Sequence, residues 1–206
     1  MTHSGPFRCM CGRIHADFDG PSNDLLPYID LDGVAALNTA SSAKGIFKPH
    51  DERLERDVFV KSEVDDPQLI IRVPFTCPVS IRAFTVIGGD HGTAPRSSKL
   101  FINHESLDFG DAEDGQPVQC FDLVEDRDGA VEYRTRFSKF QNVSTLWIFI
   151  RSNYGADHSL VSYIGLSGVA TEHKRRAVDA VYELHCVGDH NDPLKEEQGG
   201  HIGHFH

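Results

Sequence analysis

An antiparallel β-sandwich is the fold this sequence predicts, and three observations carry it. Short runs rich in β-branched and aromatic residues recur through the middle of the chain. Clusters of Gly, Asn and Asp separate them, as turns require. One run, 79–87, alternates polar and apolar residues, the period of a sheet buried on one face. Turn signals recurring between short strands favour a sandwich over a parallel α/β sheet. The densest stretch, 137–168, holds the single tryptophan, Trp147, and two strand-like runs joined by Ser152-Asn153-Tyr154-Gly155-Ala156-Asp157. We read it as two core strands and their connection.

The chain has 206 residues, 39% hydrophobic and 25% charged, enough apolar material for one large β domain. Its formal net charge of -11 disfavours nucleic acid and anionic membrane surfaces as partners. No apolar run approaches the roughly 20 residues that cross a bilayer, and the first residues lack an apolar signal core, so a cytoplasmic or nuclear protein is expected. Five scattered cysteines, an odd number, argue for reduced thiols rather than a disulfide framework. Cys77 and Cys120, within strand-like sequence, are expected to act as small buried hydrophobes.

In chain order, residues 1–23 mix Gly, Pro, His and Asp without periodicity and are expected to form a flexible arm. Cys9 and Cys11 with His15 or His3 offer soft metal ligands, but a structural zinc site needs four, and exposed thiols without metal are the simpler reading. The folded domain is expected over 24–188. It opens with a strand-like piece over 28–31 followed by a short turn or helical segment, then a small-residue loop at 41–45. The charged run Asp51-Glu52-Arg53-Leu54-Glu55-Arg56-Asp57 follows, read as a solvated face or an ion-pair lattice. Strands are expected over 69–75 and 79–87, flanking Thr76-Cys77-Pro78, and over 99–103, 118–123 and 131–136, with turn clusters at 111–115 and 125–129. Gly88-Gly89-Asp90-His91-Gly92 lacks the Lys-Ser/Thr ending of a phosphate loop and reads as a loop whose glycines permit positive φ. A last strand is expected over 177–184, after the basic trio Lys174-Arg175-Arg176.

Residues 189–206 form a polar, Gly- and His-rich tail, expected to be flexible. Three readings of it compete: an incidental tail, a weak metal chelator, and a short recognition peptide in which His204, Phe205 and His206 supply an apolar anchor, imidazoles and a carboxylate. Elsewhere no nucleophile elbow, zincin helix or paired-cysteine redox motif is present, so the sequence offers no anchor for an enzyme.

The apolar skeleton resembles that of PITH domain proteins, the group named for a proteasome-interacting thioredoxin-like C-terminal domain. The resemblance rests on Gly45-Ile46-Phe47-Lys48-Pro49 with Glu52-Arg53, on Pro74-Phe75, and on Lys99-Leu100-Phe101 with Asn103. Above all it rests on Phe140, Asn142-Val143, Leu146, Ile148 and Ile150 preceding Asn153-Tyr154-Gly155-Ala156-Asp157 and Tyr163-Ile164-Gly165-Leu166-Ser167-Gly168. It implies a jelly-roll, galactose-binding-like sandwich with no catalytic, cofactor or metal residues, used to dock on the 26S proteasome regulatory particle. The redox domain that precedes this module in thioredoxin-like members is expected to be absent, so the resemblance is to the stand-alone members. The expected partner contacts are Asn153, Tyr154 and Asp157 in the strand connection, with His204, Phe205 and His206 in the tail. The rival expectation is a small-ligand or carbohydrate-binding jelly roll, with Tyr154 the conspicuous loop aromatic.

Overall fold

A computed structural model describes residues 23–171. The arm before Asn23 with Cys9 and Cys11, the strand expected over 177–184, and the tail with His204, Phe205 and His206 lie outside the described residues.

Among the described residues, eight strands form one continuous antiparallel sheet folded upon itself: β1 Ala35–Leu37, β2 Val60–Lys61, β3 Leu69–Gly88, β4 Pro95–Ile102, β5 Gln119–Asp122, β6 Tyr133–Arg134, β7 Val143–Asn153 and β8 Leu160–Ala170. The main path runs β2-β8-β3-β7-β4-β5, and β1 and β6 also pair with β3. The all-β sandwich expected from the sequence is therefore present.

The two strands expected around Thr76-Cys77-Pro78 are halves of the single strand β3, 20 residues long. Its first half pairs with β1 and β7, and its second half with β8 and β6. The register with β7 shifts between Pro74 and Val79. Neither Pro74 nor Pro78 has an N–H to give a ladder, so the stretch between them can leave one partner set and join the other without breaking the strand. This change of partners folds the sheet around a main core of Leu69, Ile71 and Val73, Phe84 and Val86, Ile164 and Leu166, with Leu146, Ile148 and Ile150. Fully burying each such side chain is worth about 1.5–3 kcal/mol.

The other face of β7 is buried too. Trp147 and Phe149 pack with Ile70, Phe101, Leu107 and Ala112 in a second core, and the Trp147 indole N–H donates to the His104 carbonyl at 3.0 Å. Its cover includes the helix α1, Phe109–Asp114, where a turn was expected. Asp108 caps this helix by accepting from Asp111 N at 2.7 Å, and Ala112 enters the core, so local capping and burial together favour one helical turn and a half.

The strand expected over 28–31 gives way to a 3-10 turn, Leu26–Tyr28, and a single bridge from Ile29 to Phe75, and the short turn or helical segment expected after it is the 3-10 turn Leu31–Gly33. Pro27 fixes φ inside the first turn, and Asp24 accepts from Leu26 N at 2.9 Å. Its apolar residues still do core work, since Leu25 and Ile29 are buried. The buried places expected for Cys77 and Cys120 also change: Cys77 is half-buried beside the partner switch, and Cys120 is exposed on β5, whose alternate residues face solvent.

Candidate functional site

The connection from β7 to β8 meets the β3–β4 loop at one end of the sandwich. Gly92, at φ +84°, accepts from Tyr154 N at 3.0 Å through its carbonyl, so the glycine-rich loop is a backbone partner of the connection. Of the contacts expected from the sequence, Asn153 does a different job from the other two. Its side chain is buried, its amide donates to the Ala156 and His158 carbonyls at 3.0 and 2.7 Å, and its oxygen accepts from Gly155 N at 2.9 Å. It shapes the turn. Tyr154 and Asp157 are exposed: the Tyr154 hydroxyl donates to the Leu123 carbonyl at 2.6 Å with the Arg96 guanidinium 5.8 Å over its ring, and Asp157 pairs with His158 Nδ1.

The charged run 51–57 is partly the lattice expected of it. Arg53 donates to the Asp128 and His50 carbonyls, and Arg56 donates to the Arg127 carbonyl and pairs with Asp90 at 3.3 Å. Asp90 Oδ1 also lies 3.0 Å from Arg127 Nε, an ion pair without hydrogen-bond alignment. These contacts tie the 50–56 segment to the β5–β6 connection.

Between those two segments, on the outward side of β8 and the second half of β3, lie two adjoining clefts of about 270 and 380 Å³ that share Asn23, Glu132 and Ser167. The first is floored by Gly165, where an added Cβ would lie 2.5 Å from the Tyr163 hydroxyl. Tyr163 is 4% exposed, its ring edge-on to His50 with centroids 6.4 Å apart. Ser167 Oγ donates to Glu132 Oε1 at 2.9 Å. The second cleft is bounded by Arg134 and by Phe137, with the Arg82 guanidinium 5.2 Å over the Phe137 ring. Sequence reading placed Tyr163 in the core and missed this groove. Its one legible signal is Gly165 inside a strand, a position that marks close approach by another group.

Burial pushes the Tyr163 phenol above an ordinary tyrosine, with Asp24 adding to the rise and Arg53 opposing it; burial likewise raises Tyr133. The folded chain therefore keeps both phenols protonated where the unfolded chain ionises. The stability this confers is whole below about pH 10 and is lost as pH rises through the folded values. In an ultraviolet tyrosinate titration of the chain's 5 tyrosines, Tyr163→Phe should remove a late-titrating component. A wild-type curve in which all tyrosines ionise as free phenols would contradict this burial.

Among the described residues, no group of three or more His, Cys, Asp or Glu side chains is placed to hold a metal ion, and no helix is long and apolar enough to cross a membrane.

Comparison with known proteins gives a consistent result. Residues 15–185 match the family model of the PITH domain. A human relative, PITH domain-containing protein 1, is 40% identical over 161 residues, covering 77% of this chain and 75% of its own. The protein of the same name from Dictyostelium discoideum is 36% identical over 171 residues, covering 82% and 84%. Among solved structures, the CBM32-1 and CBM32-2 domains of Clostridium perfringens ZmpB, in complex with GalNAc, align with TM-score 0.52 at 11% identity, over 69% of this chain and 35% of that one. That likeness bears on the fold alone, and it places the sandwich among galactose-binding-like jelly rolls.

Proposed function

Because the chain belongs to the PITH domain family, we propose that it is a non-enzymatic interaction module that docks on the regulatory particle of the 26S proteasome, in the cytoplasm or nucleus. The observation that supports this reading is the span of the family match, 15–185, which takes in every described strand. The family is named for a proteasome-interacting domain, and the resemblance reaches the connecting loops as well as the core. Tyr154 and Asp157 give that end of the sandwich an amphipathic ring beside a carboxylate, a combination suited to a protein surface. His204, Phe205 and His206 would add a second contact, as a short segment that orders on its partner, with an imidazole near a metal in that partner.

The experiment is capture of tagged full-length chain from lysate. Regulatory-particle subunits should be enriched above a tag-only control, and their enrichment should fall when residues 199–206 are deleted. Absence of proteasome subunits above the control would overturn the docking reading, and capture unchanged by the deletion would remove the tail from it. A carbohydrate-binding role is the competing reading, and saturable binding in a glycan screen would raise it above docking.

A further inference from the structure

We infer that the cleft beside Tyr163 receives a lysine or arginine side chain of the docked partner; the inference rests on the docking reading and names a contact for it.

Three features of the cleft carry this. Among the described residues its charged lining is one-sided: Asp24 and Glu132 contribute carboxylates, no described lysine or arginine lines it, and His50 is the only other described titratable group there besides Tyr163. Arg53 stands behind the rim with its guanidinium already donating to the Asp128 and His50 carbonyls. Each carboxylate has one oxygen engaged internally, Asp24 Oδ1 by Leu26 N and Glu132 Oε1 by Ser167 Oγ, which leaves the second oxygen of each to accept from a ligand. The Tyr163 hydroxyl has no hydrogen-bond partner among the described residues although the residue is 4% exposed. The rest of the side chain is buried while this oxygen opens on the cleft, so its hydrogen-bonding capacity is directed there and is available to a ligand atom.

An ammonium or guanidinium group meets these demands together. It donates to carboxylate oxygens and to the phenol oxygen, and it lies favourably against the Tyr163 ring. The groove continues past Glu132 to Arg134 and Phe137, so the occupant extends beyond one side chain. A protein segment with a basic residue in the first cleft follows that path, which a free amine would leave half empty. Gly165 keeps the floor open, since any side chain there would meet the Tyr163 hydroxyl.

The test uses nitrogen-15-labelled full-length chain titrated with the blocked peptide acetyl-Ala-Arg-Ala-amide, with the corresponding Gln and Glu peptides as neutral and anionic arms. Saturable shifts of the Gly129, Gly165 and Ser167 amides are expected with the Arg peptide, at a dissociation constant on the order of 1 mM. The double variant Glu132→Gln with Tyr163→Phe, its remaining spectrum unchanged, should weaken that binding about tenfold. Equal shifts with the Gln peptide, shifts that map elsewhere, no saturation by about 20 mM, or undiminished binding to the double variant would each overturn the assignment. The peptide arms read the cleft without any proteasome present. Failure of wild-type capture would therefore remove the docking reading, whereas failure of the peptide titration would remove the cleft contact alone.

Discussion

Replacing Asp126 with alanine is expected to destabilise the domain by about 3 kcal/mol or more. The carboxylate is 7% exposed and accepts four backbone amides: Asp128, Gly129 and Ala130 at Oδ1, at 3.0, 2.9 and 3.2 Å, and Val131 at Oδ2, at 2.7 Å. Alanine leaves those donors without an acceptor in a segment that must also hold its shape for its neighbours. The Asp128 and Arg127 carbonyls receive Arg53 and Arg56, and Gly129 and Glu132 line the Tyr163 cleft. An Asp126→Asn substitution keeps one oxygen acceptor and loses the charge, so its stability should fall between wild type and the alanine variant. Urea denaturation with an unchanged slope measures the loss, and hydrogen exchange at residues 128–131 locates it. A midpoint unmoved by Asp126→Ala would show that the connection holds its shape by other means.

Asp126 also shows how far the sequence could be read. The cluster Glu125-Asp126-Arg127-Asp128-Gly129 announces a turn by composition, and a turn is there. Composition cannot single out the one carboxylate of three that turns inward, because that depends on where the preceding strand ends. The cores of β7 and β8 were legible because alternation and β-branching report burial directly, and Leu146, Ile148 and Ile150 all enter the main core. The unity of β3 was not, since prolines ordinarily argue against a continuous strand, and only the change of partners makes them tolerable. α1 escaped notice because six residues carry too little period to display, and its cap and single buried alanine gain meaning only beneath Trp147 and Phe149.

The same distinction governs the site. Tyr154 and Asp157 could be picked from a loop rich in turn formers, but the polar residue beside them, Asn153, could not be separated from them by chemistry, since buried turn-shaping and exposed recognition use the same amide. The groove was harder still. Tyr163 lies between Ser162 and Ile164 in a strand of apolar character, and its hydroxyl becomes available only because the distant 50–53 turn and the 129–132 segment stand apart on either side. Long-range placement of that kind leaves no mark on the sequence around it, except for the missing side chain at Gly165.

Phe84→Ala is expected to cost about 3–5 kcal/mol, and its consequences should reach the groove. The Phe84 ring is 1% exposed and sits edge-on to Phe121 at 4.9 Å and tilted against Tyr133 at 5.3 Å, so one side chain joins β3 to β5 and β6. β6 has only two residues in the ladder, both paired with β3. Such a strand depends on side-chain packing more than on backbone pairing, and each aromatic contact adds about 0.5–1.5 kcal/mol beyond its buried area. Tyr133 in turn accepts from Val124 N at 2.8 Å, closing the connection that carries Asp126 and Glu132. Loss of the Phe84 ring should therefore lower the denaturation midpoint and return the Tyr133 phenol toward an ordinary value, because the burial that raises it is removed. Phe84→Leu, which keeps most of the volume, should spare much of both. If Phe84→Ala lowers stability but leaves the late titration of Tyr133 itself intact, as read in a Tyr163→Phe background, the ring fills space in the core and does not hold β6, and the coupling from core to groove fails.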